Sequence, residues 1–204
     1  MLIIRLLIVD IQLGFINRHI LLKNINDEQK EKALKFKNEK DQVRSMVSSY
    51  LVNCLSNEKV LKKEMGKPYF INGPHFNISH SGKYVVMAIS ENEVGVDIEE
   101  NTNKDMSALI RIFNEAEAKM IKEHADFYYL WCAKESLIKC FGGSVSQIKE
   151  VPSLPLNGLK TFKGKDYQCQ TILFDKHIIS VTNENKEPFE LKIEKIERIP
   201  FKIK

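Results

Sequence analysis

The sequence has no hydrophobic run of transmembrane length and no strong excess of one charge. Its apolar start, residues 2–9, is interrupted by Arg5, with neither a basic region before it nor a small-residue cleavage site after it. We therefore expect a buried first strand rather than a signal peptide, and no membrane partner. The net charge of +4 suits an anionic ligand or an acidic partner but is too small to indicate nucleic-acid binding.

The sequence also has no CxxC pair. Its four cysteines lie far apart, at positions 54, 132, 140 and 169. This spacing is typical of free thiols in a reducing compartment, so we expect a cytoplasmic protein. The 204 residues suffice for one large domain or two small ones with a proper core.

Hydrophobic periodicity predicts strands and helices mixed along the chain. A cap at Asn26 predicts a helix start, and Asn38 marks a possible break in the helical pattern that continues to Leu55. The predicted strands are 2–9, 84–90, 94–100, 161–162, 168–174, 178–181 and 189–201, and a short strand within 76–82 runs into a turn. The later predicted helices are 106–113, 115–123 and 127–141.

Two carboxylates share one face of the predicted strand VGVDIEE, residues 94–100. Asp97 and Glu99 alternate with apolar residues and lie beside Gly95, which has no side chain to block approach. Such close like charges repel unless a cation sits between them. The strand is therefore either half-buried with its polar face in water, or one half of a Mg²⁺ site.

The predicted helix 127–141 carries charged side chains on and beside an apolar stripe. Lys134 falls within the stripe, where an ammonium needs an anion as partner. Glu135 and Lys139 are neighbours at i and i+4 on the flank of the stripe. They form either a surface ion pair or part of a metal and phosphate site.

The N-terminal half contains a basic run and a short polar turn. The run is either a solvated helix face or a phosphate cradle. Ser79 and His80 face opposite ways on a strand and lie in no G-x-S-x-G elbow, so a hydrolase dyad is not expected. The turn after them suits phosphate oxygens better, although His80 could equally be structural. The cations of the run are Lys30, Lys32, Lys35, Lys37, Lys40 and Arg44.

Two motifs together resemble the signature of the 4′-phosphopantetheinyl transferases. Residues 94–97 read VGVD, and residues 131–139 read WCAKESLIK, matching the strand motif and the helix motif of that family at every specified position. Further likeness to the longer, surfactin-synthetase-activating type lies in the 28–36 helix, Arg44, the Gly-Lys-Pro at 66–68, and residues 76–82. The spacer 98–130 is shorter than is usual in the family, which bears on partner recognition more than on chemistry.

The resemblance implies an Mg²⁺-dependent enzyme that transfers the phosphopantetheine arm of coenzyme A to a carrier-protein serine and releases 3′,5′-ADP. It implies an apo acyl or peptidyl carrier of fatty acid, polyketide or nonribosomal peptide synthesis as partner. By motif match, Asp97, Glu99 and Glu135 would hold the metal. Lys139 would meet the pyrophosphate, and Glu135 would accept the serine proton. Around coenzyme A, Lys32, Arg44 and His80 would border the 3′-phosphate, Ser79 the diphosphate, and Lys67 and Pro68 the adenine. The family's first basic contact falls at Gln29 or Lys30.

The implied architecture is α+β, with two similar halves, residues 1–93 and 94–204. Each half would be a small antiparallel sheet with helices, and the site would lie in the cleft between them. Two halves in one chain favour a monomer. Two alternatives remain open: a non-catalytic coenzyme A or nucleotide-binding module, which could dispense with Glu135 and Lys139, and a structural protein whose charged motifs are surface ion pairs.

Overall fold

Two four-stranded sheets and six α-helices form the part of the chain that the computed structural model describes, which is residues 1–62, 66–102, 106–201 and 203. The predicted α+β class is confirmed. Within the described residues no helix is both long enough and apolar enough to span a bilayer.

The N-terminal strand β1 (Leu2–Asp10) leads directly into four helices. Asn26 and Asn38 cap the third and fourth of them, so the predicted helix start and break are confirmed. The first two helices were not predicted; Asp10 caps the first through Gln12 N. The helices are α1 (Ile11–Ile16), α2 (Arg18–Asn24), α3 (Asp27–Leu34) and α4 (Glu39–Leu55).

The first sheet is mixed rather than antiparallel. Its strand order is β10-β1-β5-β4, in which β4 is His75–Ser81, β5 is Tyr84–Ser90 and β10 is Phe189–Ile196. The expectation of an antiparallel sheet in each half was wrong here, because the last strand of the chain returns to pair parallel with β1. In a small separate sheet, β2 (Leu61–Lys62) pairs antiparallel with β3 (Pro68–Tyr69).

The second sheet is antiparallel, with the order β6-β9-β8-β7. Between its first two strands in sequence lie a 3₁₀ turn (Ser107–Ile112), where a helix was predicted, and the helices α5 (Glu115–Met120) and α6 (His124–Phe141). Gly142 closes α6 in the left-handed conformation. The strands are β6 (Val94–Glu100), β7 (Gly158–Phe162), β8 (Lys165–Phe174) and β9 (His177–Asn183).

The two sheets share a connection pattern and a core. In each, a strand and a long helix precede a hairpin whose second strand pairs antiparallel with that first strand. The hairpin is β4–β5 in the first sheet and β8–β9 in the second. Ile8 and Val86 of the first sheet pack in one cluster with Val96 and Val181 of the second. The apolar side of VGVDIEE therefore faces the joint core, which leaves its carboxylates on the opposite side. The division at Glu93 stays a prediction.

Candidate active site

Asp97, Glu135 and Lys139 come together where α6 crosses β6. The Asp97 side chain is buried, and its Oδ1 accepts hydrogen bonds from Lys139 Nζ at 2.5 Å and from Ser79 Oγ at 3.0 Å. Lys139 Nζ also lies 4.0 Å from Glu135 Oε2 and 3.1 Å from Ser79 Oγ. The structure thus unites four of the predicted site residues from a strand, a helix and the neighbouring strand β4.

Gly95 explains how α6 approaches β6 so closely. A Cβ atom at this position would overlap the Ser136 carbonyl oxygen and the Cys140 backbone nitrogen. Glycine alone lets the helix backbone rest against the strand. One helical turn then separates Glu135 from Lys139, and the Lys139 side chain reaches Asp97, two residues along the strand from Gly95.

Burial and charge act in opposite directions on the two helix side chains. Burial raises the pKa of Glu135 above its ordinary value, because Lys139 offsets the desolvation of the carboxylate only in part and Asp97 adds to the rise. Burial alone would lower the pKa of Lys139, but Asp97 and Glu135 outweigh it and the pKa is raised. At neutral pH, Lys139 is therefore a firmly protonated cation beside a carboxylate that accepts a proton more readily than usual.

Two carboxylate oxygens at this point are buried and have no hydrogen-bond partner among the described residues. They are Asp97 Oδ2 and Glu135 Oε1. Unsatisfied buried carboxylate oxygens are costly, and hard oxygen donors are the ligands that Mg²⁺ prefers. The donor chemistry fits Mg²⁺, although among the described residues no group of three acidic, His or Cys side chains is arranged closely enough to hold an ion. Lys139 is the cation between the carboxylates in this arrangement.

Strand β4 contributes a row of polar side chains that sequence analysis missed. Asn77 Oδ1 accepts from Val96 N at 2.9 Å, and Ser81 Oγ donates to Glu99 Oε2 at 2.8 Å and accepts from Glu100 N at 3.1 Å. Together with Ser79 they occupy alternate positions, so all three face β6. The alternation of these polar residues along the strand could have indicated that they share a face. The sequence does not say which strand that face meets.

Two adjoining cavities open onto this cluster and share three lining residues, His80, Glu99 and Trp131. The smaller, of about 390 Å³, contains the charged cluster. The larger, of about 860 Å³, combines cations with apolar side chains. Its further lining includes Lys40, Arg44, Lys83, Phe15, Met106 and Leu109. Phe15 comes from α1, a helix that was not predicted.

Arg44 and His80 line the larger cavity, as the predicted phosphate site requires. Arg44 Nη1 donates to Asp41 Oδ1 at 2.7 Å and Nη2 donates to the Gly82 carbonyl, while Nε is buried without a partner among the described residues. Burial, and then the charge of Arg44, lower the pKa of His80. His80 is consequently a neutral donor at physiological pH, next to a fixed cation.

Other predicted coenzyme A contacts lie outside both cavities. Lys32 is exposed on α3, and Pro68 lies in β3. The Lys67 ammonium is buried and bonded within the protein. The Gln29 side chain accepts from Asn26 N and contacts Asn53, and Lys30 pairs with Asp27 at 2.8 Å. The coenzyme A roles of these positions stay predictions.

Lys134, the lysine within the apolar stripe of α6, is paired with an anion, as the sequence analysis predicted. Lys134 Nζ lies 3.0 Å from Glu117 of α5 and donates to the Val151 carbonyl, and both side chains are almost fully buried. Glu117 also accepts from the backbone and hydroxyl of Ser153. Lys134 therefore secures α6 to α5 and lines neither cavity.

Comparison with known proteins agrees with the two motifs. Residues 93–197 match the 4′-phosphopantetheinyl transferase superfamily. The chain is 33% identical over 180 residues to the 4′-phosphopantetheinyl transferase gsp of Aneurinibacillus migulanus, covering 79% of this chain and 72% of that protein. It is 34% identical over 170 residues to the 4′-phosphopantetheinyl transferase Sfp of Bacillus subtilis, covering 75% and 73%. The match to Salmonella typhi AcpT, 37% over 101 residues, covers 44% of this chain and 53% of that protein. The chain belongs to the 4′-phosphopantetheinyl transferase superfamily, as its strand and helix motifs predicted.

Proposed function

We propose that this protein transfers the 4′-phosphopantetheine arm of coenzyme A to a serine hydroxyl of an apo acyl or peptidyl carrier protein, with Mg²⁺. In this reaction the serine oxygen forms a bond to the β-phosphorus of coenzyme A. The phosphoanhydride bond to that phosphorus breaks, and 3′,5′-ADP leaves. The serine proton passes to a base.

The observation that carries the proposal is the pair of buried, unpartnered oxygens Asp97 Oδ2 and Glu135 Oε1 beside Lys139. With Glu99 they supply carboxylate oxygens from a strand and a helix. Mg²⁺ bound there would neutralise charge on the pyrophosphate as the leaving group departs. Neither a structural protein nor a passive binding module has reason to keep two such oxygens unsatisfied.

The protein side chains divide the remaining work. Lys139 provides a fixed positive charge for the bridging oxygens, where charge builds up in phosphoryl transfer. Glu135, with its raised pKa, accepts the serine proton, since a base is most effective when its pKa lies nearer the operating pH. Arg44 and His80 bind the 3′-phosphate in the larger cavity, and Ser79 meets the diphosphate.

The carrier protein docks on the segment that borders the larger cavity. Leu109 is partly exposed there and lines the cavity, and Arg111 is exposed in the same 3₁₀ turn, which also carries Ile110 and Ile112. We propose residues 101–113 as the docking segment, of which residues 103–105 lie outside the described residues. Carrier proteins of this class are acidic around the target serine, so carrier affinity should fall with ionic strength.

The test is incubation with coenzyme A, Mg²⁺ and a panel of apo acyl and peptidyl carriers, followed by mass spectrometry of each carrier. Transfer appears as addition of one phosphopantetheine group, abolished when the target serine is replaced by alanine. If coenzyme A raises the melting temperature but no carrier gains a phosphopantetheine group, the result would favour the binding module. Absence of any protection would favour the structural alternative.

We further propose that the protein acts as a monomer in the cytoplasm. Strand β6 and helix α6, which carry the carboxylates of the site, belong to one chain, and all four cysteines are free thiols. Light scattering of the purified protein tests the monomer, and a stable dimer at assay concentration would contradict it.

A further inference from the structure

We propose that Lys67 is a positioning residue that holds α6 against β6 and so sets the geometry of the metal-binding carboxylates. The inference rests on the proposed function. It gives Lys67 a role different from the adenine contact that the family resemblance implies.

The Lys67 ammonium is buried and makes three bonds within the protein. Its Nζ donates to Glu93 Oε2 at 2.7 Å, to the Val94 carbonyl at 2.9 Å and to the Cys140 carbonyl at 2.7 Å. A lysine ammonium has three N–H donors, so all of them are used. The side chain lines neither cavity and has no donor left for a ligand.

The three acceptors lie at the ends of the two elements that carry the site. Val94 is the first residue of β6, three residues before Asp97. Cys140 follows Lys139 in the last turn of α6, where helix carbonyls lack intrahelical partners and the helix end is partly negative. One ammonium therefore ties the start of the strand to the end of the helix, and Glu93 balances its charge.

The local sequence brings the lysine to this point. Gly66 has a positive φ of 85°, which favours glycine, and Pro68 begins β3. Lys67 is thus held between a left-handed turn and a short strand, with its side chain directed inward. This accounts for the Gly-Lys-Pro motif without a ligand.

Gly95 and Lys67 act on the same junction. Close packing on Gly95 fixes the distance between the helix and strand backbones, and Cys140 takes part in both contacts. Apolar packing is non-directional, so it sets the spacing of helix and strand better than the position of the helix along the strand. The Lys67 ammonium opposes movement of the helix along the strand, which keeps Lys139 and Glu135 opposite Asp97.

The test compares Lys67→Met with Lys134→Met, a matched replacement of a second buried, ion-paired lysine, which lies on α6 away from both cavities. Mg²⁺ is titrated into each protein saturated with coenzyme A but without carrier. Binding is followed by the fluorescence of Trp131, the sole tryptophan, which lines both cavities. Coenzyme A affinity without metal is measured separately.

We expect Lys67→Met to raise the Mg²⁺ midpoint and lower kcat by about 10- to 100-fold, the usual effect of removing a residue that orients metal ligands. Coenzyme A affinity without metal should change little. Lys134→Met should lower the melting temperature while leaving the Mg²⁺ midpoint near that of the parent. Glu93→Gln, which keeps the lysine and both carbonyls, should shift the midpoint in the same direction by less.

An unchanged Mg²⁺ midpoint in Lys67→Met, or the same shift in Lys134→Met, would overturn the proposal. A loss of coenzyme A affinity without a change in the Mg²⁺ midpoint would also overturn it. That result would favour the adenine contact that the family resemblance implies for Lys67. If Lys67→Met does not fold, Glu93→Gln decides by the same criterion. A parent that binds Mg²⁺ but labels no carrier would refute the proposed function alone, because the binding comparison does not use transfer.

Discussion

Lys139 Nζ lies 2.5 Å from Asp97 Oδ1 and 4.0 Å from Glu135 Oε2, so one ammonium serves carboxylates from a strand and from its own helix. Asp97 lies 42 residues before Lys139 in the sequence, whereas Glu135 lies one helical turn before it on the same helix. The ammonium offsets the repulsion between the carboxylates. A divalent cation binding there has to share them with Lys139.

Lys139→Met should increase the stabilisation that Mg²⁺ gives the folded protein. Without the ammonium, the carboxylates repel each other until a metal binds, so affinity for Mg²⁺ rises and the melting temperature responds more strongly. Transfer should nevertheless fall, because the bridging oxygens lose a cation. Melting curves with Mg²⁺ and with a chelator measure the effect, with Lys165→Met as a control that breaks a surface pair with Glu184. An Mg²⁺ response no larger than that of the parent would contradict the shared-cation arrangement.

Asp97→Asn should abolish transfer at physiological Mg²⁺ while leaving the protein folded. The amide keeps the size of the side chain and one oxygen for Ser79, but it removes the charge that attracts a metal. Rates measured across an Mg²⁺ series give the result. Glu184→Gln is the matched control, since it neutralises another lysine-paired acid that lines neither cavity. Activity close to the parent with metal present would mean that Asp97 is not a ligand.

Glu135→Gln should lower kcat by roughly 10²- to 10⁴-fold, the usual contribution of a positioned base. The parent pH profile of kcat/KM should show an acidic limb above the ordinary glutamate range, because burial raises the pKa of Glu135. The limb should vanish in the variant. If it persists unchanged, Glu135 is a ligand only and another group accepts the proton.

The same substitution should change stability with a defined pH dependence. The folded protein holds the Glu135 proton to higher pH than the unfolded chain does, so stability falls as pH rises through the raised pKa. Without metal, Glu135→Gln should be more stable than the parent above that window and equal to it below the ordinary glutamate pKa. Unfolding free energies at several pH values measure this, and a variant less stable at neutral pH would contradict it.

Arg44→Ala should weaken coenzyme A more than dephospho-coenzyme A, by about 1.5–3 kcal/mol for one lost charge-assisted hydrogen bond. Its guanidinium lines the larger cavity beside His80. Calorimetry with both ligands measures the difference. Arg18→Ala, which breaks a pair with Glu39 outside the cavities, should leave both affinities unchanged. Equal losses for the two ligands would place the 3′-phosphate elsewhere.

Several local features followed from the sequence because they depend only on neighbouring residues. The period of two placed Asp97 and Glu99 on one face of β6, and helical spacing placed Glu135 one turn from Lys139. The burial of Lys134 in the α6 stripe predicted a partner anion, and Glu117 fills that role. Helices α1 and α2 were not predicted, so the sequence analysis did not indicate that Phe15 lines the larger cavity.

The sequence by itself determined the family, the α+β class and the residues that carry charge on each element. Tertiary structure alone decided that the last strand returns to β1, that Lys139 pairs with Asp97, and that the Lys67 ammonium is buried away from the cavities. The reason is physical: periodicity fixes the face on which a side chain lies within its own element. Which faces meet depends on close packing between distant segments, such as the approach of α6 to Gly95.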